Sequence, residues 1–242
     1  MNHFIGCSGF SNKDWKGFFY PDNLSSKDYL PFYAEHFNSI EINSTFYRKP
    51  TSKTLSNWYA QTPAHFLFFI KIPQTITHIN QLKNVRQEIS EFCKHISHSL
   101  KEKLAGFLFQ FPPSFLCDKI NINNVLNGLN PRFLNVVEFR HKTWWNDTVY
   151  EILREHGIIF CGASIPKDIP DDVIVNHNHS LYYRLHGKPV LFKSEYSEAE
   201  LQALAEKIKA SNKNSYVFFN NTWGTAAITN AMYLKKLLAE SN

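Results

Sequence analysis

Eight short apolar runs, separated by segments with helical patterns, limit the possible folds of this sequence more than any other feature. The runs have the length and the β-branched and aromatic content of buried strands. They lie at residues 3–8, 39–47, 66–72, 105–111, 134–139, 158–164, 181–187 and 215–221. The intervening and following segments favour helices at 28–38, 51–61, 82–103, 121–129, 147–156, 171–176, 197–211 and 225–239.

This alternation predicts an α/β fold, a single parallel eight-stranded (β/α)₈ barrel of the TIM type. Eight strands alternating with helices in 242 residues match such a barrel in count and in length. The main alternative is an open, doubly wound sheet. Against it, no GxGxxG follows the first strand, and GCSG at residues 6–9 is too short for a dinucleotide loop. Without an internal repeat or a linker, we expect one domain over residues 1–242.

Helix starts are visible at two positions. Ser52 precedes the helical segment KTLSNWYAQ, and Ser197 precedes EAELQALAEKIKA. Glu200 lies three residues after Ser197, so a capping box is expected there.

Cysteine spacing, hydropathy and charge restrict the environment and the partners. The four cysteines include no CxxC pair, which favours reduced, mostly buried thiols, and no segment approaches 18 consecutive apolar residues. We therefore expect a cytoplasmic protein that does not engage a membrane. The formal charge of +5 is spread along the chain, which permits anionic ligands and makes nucleic acid a less favoured partner. The sequence leaves the oligomeric state open.

Charged residues interrupt the buried strand pattern, as in NVVEFRHKTWW at residues 135–145. Glu138 and Arg140 are two positions apart, so strand alternation sends both to one face. In a barrel, reacting groups come from the carboxyl-terminal ends of the strands and the loops that follow. Applied to every strand end, the same alternation predicts an inward polar set: Ser8, Glu41, Asn43, Lys71, Gln110, Glu138, Arg140, Arg184, His186, Asn220 and Asn221.

The inward set predicts a functional pocket, because converging charges in a barrel mouth mark sites more often than scaffold. A structural Glu–Arg pair is the alternative. Because arginine suits carboxylate and phosphate groups, an anionic ligand is expected. We assign catalytic roles to Glu41 or Glu138 as general base and to His186 or Lys71 as acid. The substrate-binding candidates are Ser8, Asn43, Gln110, Arg140, His141, Trp144, Arg184, Asn220 and Asn221.

Arg184 is expected to be repelled by Arg140 and Lys71, so that its replacement by methionine would leave the fold at least as stable as the parent while removing anion binding. If Arg184 were instead paired with Glu41 or Glu138, the same replacement would be strongly destabilising.

A metal or cofactor is not expected. The inward set offers one histidine and two glutamates between three cations, and positive neighbours oppose a divalent ion. His78 and His141 lie just beyond strand ends and could supplement His186, but loop histidines are more often solvated.

Seven longer stretches resemble the DUF72 family, also called YecE-like proteins. They are WKGFFYP (15–21), FNSIEINSTFYRKP (37–50), KIPQTITH (71–78), GFLFQFPPSF (106–115), VEFRHKTWW (137–145), YYRLHGK (182–188) and FNNTWGTAAITNA (219–231). The resemblance spans essentially the whole chain in order. It implies a TIM-like barrel similar to the xylose isomerase and endonuclease IV group, and it extends to Trp144, but it implies no established activity.

Two classes of function remain open at this point. The first is an enzyme that acts on an anionic small molecule, phosphorylated or sugar-like, by isomerisation, elimination or hydrolysis. The second is a nucleic-acid-processing or nucleic-acid-binding protein related in fold to endonuclease IV-like barrels. A non-enzymatic binding protein is a more distant third.

Overall fold

In the computed structural model, eight parallel strands form one sheet that curls into a barrel. The structure describes residues 1–166, 169–171, 173–175 and 178–239. The strands run in the sheet order β1-β8-β7-β6-β5-β4-β3-β2. They are β1 (His3–Cys7), β2 (Ser39–Ile42), β3 (Leu67–Lys71), β4 (Leu104–Gln110), β5 (Asn135–Glu138), β6 (Ile158–Ser164), β7 (Ser180–Leu185) and β8 (Asn214–Phe219). All hydrogen-bonded neighbours are parallel, which confirms the predicted α/β barrel.

Seven α-helices in the described part of the chain surround the strands. They are α1 (Tyr29–His36), α2 (Ser52–Ala60), α3 (Arg86–Leu100), α4 (Lys119–Gly128), α5 (Asp147–Glu155), α6 (Glu198–Ser211) and α7 (Ala226–Ala239). The helix expected at 171–176 is not formed by residues 171 and 173–175, the described part of that range. The connection from β6 to β7 therefore lacks a helix over those described residues.

Helix capping follows the sequence closely at α6 and less closely at α2. Ser197 accepts from the Glu200 backbone N–H while the Glu200 carboxylate accepts from the Ser197 backbone N–H, which confirms the capping box. At α2 the cap is Thr51, whose hydroxyl accepts from Thr54 N at 3.1 Å. Ser52, the expected start, is the first helical residue.

Side chains complete the barrel between β1 and β2, which are not joined by a strand ladder. Asn38 accepts from Ile5 N at 3.1 Å and donates to His3 O at 2.9 Å. The Tyr33 hydroxyl accepts from Cys7 N at 2.7 Å and donates to Ser39 O at 3.2 Å. Gly6 allows the close approach, since an added Cβ would lie 2.1 Å from Ser39 O.

The barrel interior contains an apolar layer directly below the polar strand ends. Side chains from β3, β4, β5, β6, β7 and β8 fill it: Phe69, Leu108, Val136, Cys161, Tyr182 and Phe218. A larger apolar cluster lies between the strands and the surrounding helices. Because side chains alternate along a strand, the residues two positions beyond the apolar layer also point inward.

Two observations concern the thiols and the membrane, for which expectations were also drawn from the sequence. All four cysteines are free thiols. Within the described ranges, every helix is too short or too polar to cross a bilayer.

Candidate functional site

The polar layer of the barrel lies immediately above its apolar layer, at the carboxyl ends of the strands. Its residues are Glu41 of β2, Lys71 of β3, Gln110 of β4, Glu138 of β5 and Arg184 of β7. Lys71, Gln110, Glu138 and Arg184 each follow a residue of the apolar layer by two positions. The alternation that predicted a shared inward face thus brings five residues of the predicted set together.

Arg184 connects two carboxylates at the centre of this layer. Its Nη1 lies 2.5 Å from Glu138 Oε2 and its Nη2 lies 2.6 Å from Glu41 Oε1, and all three side chains are fully buried. Burial opposes the charge of the guanidinium, but the two carboxylates outweigh it and raise the pKa of Arg184 above its usual value. The expectation that Arg184 is mainly repelled by other cations is therefore wrong.

Glu41 is saturated by donors. In addition to Arg184, the Ser8 hydroxyl donates to Oε1 at 2.6 Å and the Tyr182 hydroxyl donates to Oε2 at 2.7 Å. The Asn43 amide, oriented so that both of its groups find complementary partners, donates to Glu41 at 3.2 Å and accepts from Arg184 at 3.3 Å. Tyr182 was not among the site residues predicted from the sequence, although it shares the strand parity of Arg184.

Glu138 contacts a second guanidinium. Arg140 Nε forms an ion pair with Oε1. Burial alone would raise the pKa of Glu138, but the charges of Arg140 and Arg184 outweigh it and hold that pKa well below its usual range. Glu138 is therefore ionised at neutral pH and a poor proton acceptor. Cys161, in the apolar layer beneath, has its Sγ 3.9 Å from Glu138 Oε2.

His186 is neutral and its tautomer is set by a neighbour. The Asn220 amide nitrogen lies 2.9 Å from His186 Nδ1, so Nδ1 accepts and the proton lies on Nε2. Nε2 is 3.3 Å from Glu138 Oε2 and 3.2 Å from Arg140 Nη2. Burial, together with the charge of Arg140, lowers the pKa of His186 to about 3 despite the carboxylate.

Lys71 has no carboxylate partner within the described ranges. Its Nζ donates to Gln110 Oε1 at 2.9 Å and lies 4.1 Å from the centre of the Phe46 ring. Glu41 and Glu138 are occupied by arginine, so the two carboxylates balance two guanidiniums and leave the ammonium without a direct counter-ion. Burial and the charge of Arg184 lower the pKa of Lys71 to about 7.

Gln110 extends the contact from Lys71 to a histidine. Its Nε2 donates to Phe111 O at 2.9 Å and lies 3.4 Å from His78 Nε2. His78 is in a single π-helical turn, Thr75–Ile79, and its ring packs edge-on against Phe46. Burial and the charge of Lys71 lower the pKa of His78 to about 4, so it too is neutral near pH 7.

An open cavity of about 680 Å³ lies over this layer. Eleven residues line it: Ser8, Asn12, Lys13, Asp14, Asn43, Tyr47, Lys71, Phe192, Asn220, Thr222 and Trp223. Tyr47 and Trp223 are 76% and 65% exposed, so they present aromatic faces to solvent at the rim. Of the titratable residues in the polar layer, Lys71 is the one that reaches this cavity.

The loop after β1 contributes residues that the strand pattern could not identify. The Asn12 amide donates to Thr222 O, and the Gly224 N–H donates to Asp14 at 3.2 Å. These bonds join the first and last loops of the barrel and place Lys13 at the cavity wall. The short polar run SNKD carried no strand periodicity, but it follows a strand end, where loop residues in barrels reach the mouth.

Three candidates, His141, Trp144 and Asn221, lie outside the polar layer, outside the residues that bond to it and outside the cavity lining. His141 caps a 3₁₀ turn by accepting from Thr143 N. Trp144 is 1% exposed, stacks on Phe139 at 3.8 Å and donates to Phe115 O at 2.7 Å, so no face of its indole is open to a ligand. Asn221 donates to Ser194 O and Asn230 Oδ1, both at 3.0 Å, and so joins the β7–α6 connection to α7.

The described side chains of the site do not form a cluster of metal ligands. Across the described ranges, no three His, Cys, Asp or Glu residues lie close enough together to hold a metal ion. The two buried glutamates already accept from arginine, tyrosine and serine donors.

The family model described as "Protein of unknown function DUF72" matches residues 4–242. The chain belongs to the DUF72 family. The resemblance inferred from the seven sequence stretches is thereby confirmed over nearly the whole chain.

Curated and structural relatives agree with this assignment. The chain is 25% identical to the UPF0759 protein YunF of Bacillus subtilis, over 97% of this chain and 94% of that protein. It is 32% identical to the UPF0759 protein YecE of Escherichia coli, over 46% of this chain and 41% of that protein.

Among solved structures, a DUF72 family protein from Thermotoga maritima has a TM-score of 0.88 and 31% identity, with 99% of this chain and 100% of that chain covered. A DUF72 family protein from Enterococcus faecalis, at 21% identity and a TM-score of 0.80, covers 99% of this chain and 96% of its own and supports the fold alone.

Proposed function

We propose that this DUF72 protein is an enzyme that acts on an anionic small molecule, phosphorylated or sugar-like, by acid/base chemistry at the carboxyl-terminal mouth of the barrel. The observation that carries the proposal is the position of Lys71. Its ammonium borders the open cavity, has a neutral amide as partner and titrates with a pKa of about 7. A group with such a pKa can both give and take a proton at neutral pH.

The roles of the other candidates follow from their burial. Glu41, Glu138 and His186 are 0% exposed and hydrogen-bonded, so we assign them to positioning rather than to proton transfer with a ligand. They fix Arg184 and Arg140 beneath the cavity and Asn220 at its wall. Lysine is commonly used as a general base when burial lowers its pKa, whereas a carboxylate held by two arginines is a weak base.

The cavity wall supplies the features that an anionic, sugar-like ligand needs. Lys13 is exposed at the wall and offers a positive charge. Tyr47 and Trp223 offer flat apolar faces on which a sugar ring can pack. An anionic group beside Lys71 would also stabilise its protonated form and so couple binding to proton uptake.

The test is a search for ligands followed by an assay for turnover. Thermal unfolding of the parent would be measured with a panel of sugar phosphates and small carboxylic acids, and stabilising compounds would be followed by ³¹P and ¹H NMR for conversion. We expect Lys71→Met to bind such a compound but to convert it at least about 100-fold more slowly. Lys94→Met, at an exposed position of α3, is the matched control. Conversion that survives in Lys71→Met would contradict the proposal.

Nucleic acid remains the second candidate. The exposed faces of Tyr47 and Trp223 could stack on bases, and Lys193 Nζ lies 4.5 Å from the Trp223 ring centre. The proposal favours a small molecule because Lys71 lies at the floor of the cavity, below these rim aromatics.

A further inference from the structure

We propose that Lys71 is a covalent nucleophile that forms a Schiff base with an aldehyde or ketone carrying an anionic group. This inference rests on the proposed function, since it uses the same site, and it deepens it by naming the substrate class as carbonyl compounds. It also adds a step that simple proton transfer does not require.

The charges around Lys71 leave its ammonium without a carboxylate partner among the described residues. A buried lysine is normally paired with a carboxylate. Here the two nearby carboxylates are each bound by arginine: Glu41 by Arg184, and Glu138 by Arg184 and Arg140. The ammonium is left with the neutral oxygen of Gln110 as its hydrogen-bond partner among the described residues. Desolvation and nearby cations are the two conditions that activate amine nucleophiles.

The Lys71 amine can be reached from the open cavity. Lys71 is 9% exposed, and that exposure faces the cavity of about 680 Å³. The Phe46 ring covers another side of the amine at 4.1 Å from Nζ. The amine is thus shielded by protein and open toward the space where a ligand of the size of a sugar phosphate would lie.

The groups that act on the charge of Lys71 come from several strands. Glu41 on β2 and Glu138 on β5 favour the ammonium, whereas Arg184 on β7 and Arg140 after β5 oppose it. Gln110 on β4 is neutral and His78 is uncharged near pH 7. The contacts of Phe46 with the ammonium favour the charged form, but burial and the cations outweigh them, and the pKa falls to about 7.

The covalent step is balanced without a further reactant. The lone pair of the neutral Lys71 amine attacks the carbonyl carbon, and the π electrons move to oxygen. The nitrogen then loses one proton and the oxygen gains one, which gives a neutral carbinolamine. The carbon–oxygen bond then breaks, the hydroxyl leaves as water after protonation, and nitrogen loses its second proton. The net reaction joins one amine and one carbonyl compound to give one imine and one water, and hydrolysis reverses it.

Reductive trapping with a defined probe tests the inference in the parent protein. Pyridoxal 5′-phosphate, an aldehyde with a phosphate group, would be added in less than stoichiometric amount at about pH 7, reduced with borohydride, and its site of attachment mapped by peptide mass spectrometry. At that pH about half of Lys71 is neutral, against roughly one in 2,500 for an ordinary lysine. We expect the label on the peptide that contains Lys71, at least about tenfold above that on Lys13.

Gln110→Glu separates a tuned nucleophile from a lysine that is merely accessible. A carboxylate in place of the amide would pair with the ammonium and raise the pKa of Lys71, so trapping should fall at least about tenfold at pH 7 and recover by about pH 9. Gln202→Glu, which makes the same change at an exposed position of α6, should keep the trapping at pH 7.

Label confined to Lys13 and other exposed lysines, with Lys71 unmodified, would overturn the inference, as would trapping that Gln110→Glu leaves unchanged. If Lys71 is not trapped but Lys71→Met abolishes turnover of the ligand found in the thermal screen, the covalent role fails while the proposed acid/base function stands. The mapping uses the parent protein, so it does not depend on whether a Lys71 variant folds.

Discussion

Arg184 is the residue on which the buried ion network depends. It bridges Glu41 and Glu138, and all three side chains are fully buried. Breaking such a network by removing one partner leaves uncompensated charge in the interior. We therefore predict that Arg184→Met lowers the free energy of unfolding by about 3–5 kcal/mol, measured by urea denaturation at neutral pH.

The matched control for this substitution is Arg154→Met. Arg154 pairs with Glu151 on the surface of α5, where both side chains are more than 40% exposed. Exposed pairs contribute little, so this variant should differ from the parent by less than about 1 kcal/mol. A parent-like stability of Arg184→Met would restore the view that Arg184 lies in a repulsive field of cations.

Lys71 should lower the free energy of unfolding at pH values where its side chain is charged. Its pKa falls from 10.5 in the unfolded chain to about 7 in the folded protein, so between these values the unfolded chain binds more protons and stability rises with pH. Below about pH 7 the penalty for burying the ammonium is fully present. We predict that Lys71→Met is more stable than the parent at about pH 6, and that the difference shrinks toward about pH 10.

Urea denaturation of the parent and of Lys71→Met, between about pH 6 and about pH 10, measures the difference between their free energies of unfolding. A Lys71→Met variant less stable than the parent at every pH would show that the lysine serves the scaffold, contrary to its proposed role. Replacing a functional group that is held in an unfavourable environment commonly raises the stability of a protein.

Strand alternation placed the residues within the strands correctly, and it also placed five residues just beyond strand ends: Ser8, Asn43, Arg140, His186 and Asn220. Glu41, Lys71, Gln110, Glu138 and Arg184 share one layer because each is inside or at the end of a strand. Alternation failed for three others. The side chains of His141, Trp144 and Asn221 follow strand ends, where the chain turns and alternation no longer sets their direction. Their caps, stacking and loop contacts depend on tertiary packing.

At the scale of elements, the junction between β1 and β2 is the point at which the barrel depends on single side chains. Gly6→Ala would place a Cβ 2.1 Å from Ser39 O and 2.8 Å from the Tyr33 hydroxyl. Because Ser39 O is backbone, the strands must separate or shift. We predict a loss of about 1–3 kcal/mol in the free energy of unfolding, measured by urea denaturation.

Gly128→Ala provides the comparison for Gly6→Ala. Gly128 ends α4, and an added Cβ there would meet Leu82 at ordinary contact distance, 3.8 Å. Its stability should be unchanged or raised by up to about 1 kcal/mol. If Gly6→Ala and Gly128→Ala changed the free energy of unfolding by the same amount, a tight β1–β2 junction would be contradicted.

Apart from the helix expected at 171–176, the order and type of the strands and helices were predictable, but their ends were not. The run at 39–47 was expected to be one strand, yet β2 ends at Ile42 because Asn43 adopts helical backbone angles and a 3₁₀ turn, Ser44–Phe46, follows. Polar and aromatic residues in INSTFY fit a strand by composition. That turn places Phe46 against Lys71, so the missed boundary is part of the site.

At the scale of the whole molecule, the distribution of charge argues against nucleic acid as the main ligand. The net charge of +5 is dispersed along the chain, and each phosphate that a protein neutralises adds about one unit to the salt dependence of binding. We predict no submicromolar binding of labelled single- or double-stranded oligonucleotides at ~150 mM salt. Tight binding with a steep salt dependence would make nucleic acid the leading candidate.

The proton affinity of Lys71 in the folded protein tests the central claim most directly. It would be measured by NMR on protein with ¹³Cε-labelled lysine, with the Lys71 signal assigned by its loss in Lys71→Arg. We predict a midpoint near pH 7 for this one lysine, whereas an ordinary solvated lysine side chain has a pKa of about 10.4. A Lys71 midpoint above about pH 10 would mean an ordinary ammonium held by Gln110, and would contradict a proton-transferring site at the barrel mouth.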